Sequence, residues 1–152
     1  MTALAEAQRN VLDNISRRIV DIVPSYQSGT RFKPVVKSDV SDFDEDIGEP
    51  RLFDVGHWTQ YHVIHAGKSY YRIRCDYPVG IWYPSNTGYI NGGIDSDAEL
   101  ISHDFIVNPS LVAGVEARYV LPENTHEIEK LEDDFWVKST ITISVFYCVT
   151  AL

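Results

Sequence analysis

Polar and apolar positions alternate most regularly in the stretch Trp136 to Val149, WVKSTITISVFYCV. Val137, Ile141, Ile143, Val145, Tyr147 and Val149 share one phase, and Lys138, Thr140, Thr142 and Ser144 share the other, which is the period of a half-buried strand. β-Branched and aromatic residues fill it and neither Gly nor Pro interrupts it. So long an apolar strand would aggregate at an exposed edge, so it is expected at or near the centre of a sheet, with the fold built against it.

A different period governs the other end of the chain. Leu4, Ala7, Val11, Leu12, Ile15, Ile19, Ile22 and Val23 recur at three- and four-residue spacing, with Arg9, Asn10, Asp13, Arg17 and Asp21 opposite them. This predicts an amphipathic helix from about Thr2 to Pro24. Phe32 to Val36 suits a short strand, which Pro34 restricts to an edge or a strand end. An acidic, loop-like stretch follows to about Asp54. Tyr61 to His65 and Tyr70 to Tyr77 then flank four turn-like residues, and the second arm alternates Tyr71, Ile73, Cys75 and Tyr77 with Arg72, Arg74 and Asp76, as a hairpin would.

From Pro78 to Gly93 the chain is dense in Gly, Pro and Asn around Trp82, Tyr83 and Tyr89, which predicts a long loop or a distorted hairpin. Its aromatics either meet a partner or fold back over their own sheet. Ser96-Asp97-Ala98-Glu99 has the pattern of a capping box, opening a second helix with Leu100, Ile101 and Phe105 as its apolar stripe and Asn108-Pro109 as its stop. A strand from Val115 to Leu121 is closed by Pro122, and an acidic connection, 123–134, leads to the final strand. The expected architecture is α/β of the α+β type: an N-terminal amphipathic helix and a short second helix packed on a mixed or antiparallel sheet that ends in a long C-terminal strand. Residues 1–152 are expected to form a single domain with long loops at about 38–60 and 78–95.

Composition agrees with one globular unit: 152 residues, 44% hydrophobic and 23% charged. No apolar run is long enough to span a bilayer, and Glu6, Gln8, Arg9 and Asp13 interrupt the start of the chain where a signal peptide would be apolar, so a cytosolic site of synthesis is expected. Cys75 and Cys148 fall inside predicted strands, where a thiol behaves as a small apolar side chain; pairing stays open, but no disulfide framework is implied.

Charge narrows the partners. The net charge is −9, and two short segments, Asp39 to Asp54 and Glu123 to Asp134, hold 13 of the 22 acidic residues. Such surfaces disfavour direct phosphate binding. Arg17, Arg18, Arg31, Lys33 and Lys37 form a basic counterweight that could meet an acidic neighbour in an assembly, the plainer alternative being that both acidic runs are solvated loops.

No catalytic or metal-binding pattern in the sequence is complete. Ala66-Gly67-Lys68-Ser69 ends like a phosphate-binding loop, but His62 stands where its first Gly belongs and a strand, not a helix, follows. Asp42-Phe43-Asp44-Glu45-Asp46-Ile47-Gly48 alternates acids like a calcium loop, yet its Gly is one position late and Phe53 replaces the bidentate Glu. His57, His62, His65 and Cys75 lack the close spacing of a zinc site, and strict alternation would put residues 62 and 65 on opposite faces of a strand. There is no G-x-S-x-G elbow. Neither an active site nor a cofactor nor a metal is expected, and the chain is not expected to be an enzyme.

The order of elements and the texture of five segments resemble the tail terminator proteins of long-tailed bacteriophages. The segments are the helix ALAEAQRNVLDNISRRIVDIV, the strand YYRIRCDY, the helix SDAELISHDFIV, and the closing strands VEARYVL and WVKSTITISVFY. The resemblance spans most of the chain. It implies a helix-on-sheet sandwich that assembles into a homo-oligomeric six-fold ring, a hexamer in the neck of the virion. Such a ring, assembled in the host cytoplasm, caps the tail tube, ends its polymerisation, and offers a joining surface to the head connector or stopper protein, while DNA passes through the lumen without specific binding. In that setting Arg17, Arg18, Arg31, Lys33, Lys37, Trp82, Tyr83 and Trp136 are candidates for a subunit or partner interface. Asp42, Asp44, Glu45, Asp46, Glu132, Asp133 and Asp134 are candidates for an acidic lumen or the opposing interface. Two alternatives remain: another neck, connector or minor tail component, and a small-ligand or carbohydrate-binding module with Trp82, Tyr83 and Tyr89 as stacking platforms.

Overall fold

The computed structural model describes residues 4–35, 50–56, 61–67, 70–85, 88–108, 117–130 and 136–150. In chain order these form α1 (Leu4–Asp21), β1 (Lys33–Pro34), β2 (Leu52–Val55), β3 (Tyr61–Ala66), β4 (Tyr70–Pro84), a π-helical turn (Tyr89–Gly93) running straight into α2 (Ile94–Val107), β5 (Ala117–Lys130) and β6 (Trp136–Thr150). The expected α+β class holds. The strands make one mixed sheet in the order β1-β2-β4-β6-β5, with β1 parallel to β2 and every other pair antiparallel.

β4 and β6 are its spine. They pair without a break from Tyr70↔Thr150 to Pro84↔Trp136, so β6 lies between β4 and β5, as its apolar phase requires. On one face Cys75, Tyr77, Val79 and Ile81 stand opposite Val145, Ile143, Ile141 and Ser139, all buried. Both helices cover this face. Val11, Ile15 and Ile19 of α1 and Ile94, Ile101 and Phe105 of α2 join the same core cluster. α1 ends ahead of Pro24, which cannot continue a helix, and Arg31 Nη2 donates to the carbonyls of Val20 and Asp21 at its C-terminus.

Four expectations need correction. Pro78 to Pro84 is not a loop but the second half of β4. Prolines in a central strand are normally excluded, because each removes a ladder donor. Pro78 is tolerated because its carbonyl, and therefore its nitrogen, faces the side where β2 stops at Val55 and β3 has not yet begun; Gly56 N–H donates to that carbonyl at 2.7 Å. The second helix does not open at a capping box: Ser96 already lies inside α2, which the π-helical turn has started, and no side chain caps Gly93. A strand, β2, lies within the supposed acidic loop, and its Phe53 and Val55 are buried. Finally, Pro122 does not close β5; the pairing is irregular between Pro122 and His126 and then resumes to Lys130, so most of the acidic connection is edge strand. A bulge on an edge strand can absorb a proline in this way.

Candidate functional site

The second face of the β4–β6 spine has no described helix over it. Its described residues are half-buried or buried, not exposed. At one end Trp82 pairs in register with Lys138, whose ammonium sits 5.1 Å from the indole ring. Gly80 makes this possible: a Cβ there would come within 2.6 Å of Lys138 Cε, so the missing side chain is the bed in which the lysine stem lies. Trp136 and Pro84 continue the surface.

At the other end is a charged corner. Ser144 Oγ donates to Asp76 Oδ1 at 2.7 Å, and Arg74 Nη2 approaches Asp76 Oδ2 at 3.3 Å. Arg72 stands one step further along the same phase. The Nε donors of Arg72 and Arg74 are buried with no acceptor among the described residues. Register places His62 opposite Arg74 and His65 opposite Arg72, because an irregularity between Val63 and His65 breaks strict alternation. The expectation that positions 62 and 65 fall on opposite faces is therefore corrected; their side chains, and all of His57, lie outside what is described.

The helix-covered face also holds a polar centre. Arg51, at φ 65°, is fully buried and forms an ion pair with fully buried Asp97, Nε to Oδ2 at 2.7 Å. Nη1 donates to the carbonyls of Gln27 and Thr30, and Nη2 to Asp97 Oδ1 and the carbonyl of Tyr26. All five guanidinium donors are thereby used. Tyr83 Oη donates to Asp97 Oδ2 at 2.8 Å, and burial, reinforced by the Asp97 charge, pushes the Tyr83 phenol well above its ordinary pKa. Tyr89, also raised by burial, donates to Gln27 Oε1 at 2.8 Å and packs edge-on against Tyr26. With Arg51, Asp97, Tyr83 and Tyr89 buried and hydrogen-bonded to one another or to the 26–30 turn, this cluster clamps that turn, β2, β4 and α2 together.

The sequence candidates therefore scatter. Tyr83 is in the core, so its reading as a partner contact is corrected. Arg18 is used within the chain: Nη2 pairs with Asp104 Oδ2 at 2.8 Å, and the guanidinium lies 4.2 Å from the Phe105 ring. It locks α1 to α2 instead of facing a neighbour. Arg17, Arg31 and Lys33 are exposed, and Trp82 and Trp136 are half-buried on the open face. Lys37, Asp42, Asp44, Glu45, Asp46, Glu132, Asp133 and Asp134 lie outside the described residues. A sugar-stacking platform is not formed, since Tyr83 and Tyr89 point inward and only Trp82 of the three keeps exposed surface.

A cleft of about 350 Å³ runs between α1 and the β1–β2 edge, lined by Arg9, Leu12, Asp13, Pro34, Phe53 and Asp54. Among the described residues no group of three or more His, Cys, Asp or Glu is placed to hold a metal. Cys75 is a reduced, buried thiol, and no described helix is long and apolar enough to cross a membrane. The chain matches no known family model and no curated protein.

Proposed function

We propose that this chain is a structural virion protein, a non-enzymatic subunit that closes into a homo-oligomeric ring, caps a phage tail tube and presents a joining surface to a head connector. One observation carries the reading: among the described residues helices cover one face of the sheet only, and the other face is an aromatic and charged surface that is mostly half-buried. Such a face gains from burial against a partner. The element order supports the same reading, since a helix leads, a second helix follows the long middle strand, and the last strand is inserted between its predecessors.

Charge supports it as well. β5, at the sheet edge, carries Glu123, Glu127 and Glu129, and an acidic edge resists unwanted strand addition. A lumen through which DNA must slide is served by acids, because lysines there would grip phosphates. The hexamer, the virion location, the tube protein and the connector as partners all come from the resemblance.

Electron-microscopic class averages of the purified protein test the reading. Closed rings of one size, unchanged as concentration rises, are expected, since a closed ring has no free subunit edge. A protein that stays a single subunit at high concentration contradicts it.

A further inference from the structure

We propose that the Arg72–Arg74 corner of the open sheet face is the socket for the exposed side of α2 from a second copy of this chain. The proposal rests on the ring reading and names the two surfaces that would meet. Arg72 and Arg74 lie two residues apart on one phase of β4, beside Phe146, which pairs in register with Arg74. Their buried Nε atoms lack an acceptor among the described residues. Arg74 Nη2 already meets Asp76 Oδ2 at 3.3 Å, but its side chain keeps 37% of its surface exposed, so its outer edge can take a further carboxylate from outside the subunit.

α2 supplies the complement. It contains four acids, Asp95, Asp97, Glu99 and Asp104, and no Lys or Arg. Asp97 and Asp104 are held inside the subunit by Arg51 and Arg18. Glu99 and His103 follow one another at four-residue spacing and are both exposed, so they lie on a single stripe down the outside of the helix. The stripe ends in apolar surface: Ile106 is 56% exposed and Val107 is 67% exposed. An acid followed by aliphatic side chains matches a surface of arginines beside an aromatic ring.

The placement of the two surfaces also favours self-assembly. The helices cover one face of the sheet and the socket lies on the other, so each subunit offers both halves of the contact on opposite sides. A contact of that kind is head-to-tail, and it closes into a ring when the rotation per subunit allows.

Charge reversal tests this by sedimentation velocity. Wild type is expected to sediment as a ring. Arg72→Glu with Arg74→Glu, and separately Glu99→Lys, are each expected to raise the concentration needed for assembly at least tenfold while retaining the wild-type circular dichroism spectrum. Mixing the two variants one to one is expected to restore a ring, because the reversed charges are again opposite where unlike subunits alternate. Rings that persist unchanged in both variants, or separate subunits that mixing does not restore, overturn the socket and leave the ring reading standing. Wild type that never assembles overturns the ring reading itself.

Discussion

Arg51 and Asp97 are 46 residues apart in sequence and form an ion pair with no exposed side-chain surface on either partner. The pair joins the first turn of α2, where the helix dipole favours an acid, to the residue that leads into β2, whose own N–H donates to the carbonyl of Trp82. Removing one member leaves the other charged and buried without its counter-ion.

Asp97→Ala is therefore expected to cost about 3–5 kcal/mol, the usual penalty for breaking a buried pair. Glu99→Ala, at an exposed position two residues later, is expected to cost well under 1 kcal/mol. Urea midpoints of the two variants check this, and similar midpoints would mean that Asp97 is not the anchor of α2.

Alkaline pH should weaken the same cluster. Tyr83 holds its proton more tightly folded than unfolded, chiefly through burial and then through the Asp97 charge. The unfolded state thus loses its proton first, and stability is complete below the ordinary tyrosine range of about pH 10 and declines as pH rises beyond it. Tyr83→Phe is expected to show a shallower decline above that range, measured as denaturant midpoint against pH. An unchanged slope would show that Tyr83 does not contribute to it.

In the core, Ile143 is fully buried and Thr142 is half-buried on the open face. Ile143→Ala is expected to lose about 2–5 kcal/mol and Thr142→Ala far less. Equal losses would place the strand the other way round.

Gly93 is a less obvious case. It has ordinary helical angles, so Ala there would gain roughly 1 kcal/mol from helix propensity alone. A Cβ, however, would meet Tyr26 Cδ1 at 2.9 Å and Tyr89 Cδ1 at 3.1 Å, in rings that pack against each other. Overpacking costs about 1–3 kcal/mol and should win, so Gly93→Ala is expected to lower the melting temperature. A rise would show that the rings yield freely.

Periodicity made α1 and β6 legible, because Ile15, Ile19, Ile141 and Ile143 each recur with the period of their own element. The second half of β4 was hidden: Pro78, Gly80 and Pro84 look like turn residues, and only other strands explain the first two, the gap between β2 and β3 beside Pro78 and the Lys138 stem of β6 over Gly80. Asp97 offered a readable signal, standing among Ile94, Ala98, Ile101 and Phe105 on the buried side of its helix, as a paired core acid does. Its partner Arg51 gave none, since nothing local to residue 51 tells of a helix 46 residues away. The open face was equally silent, because alternation says which phase is polar but not whether a second layer covers it.

The proposed capping role is that a ring of these subunits ends the growth of a tail tube. Its most direct measurement adds the purified protein to its own tail-tube protein during polymerisation and records tube length and tube ends by electron microscopy. Shorter tubes with a ring seated on one end are predicted. Tubes of unchanged length distribution with bare ends would contradict the account.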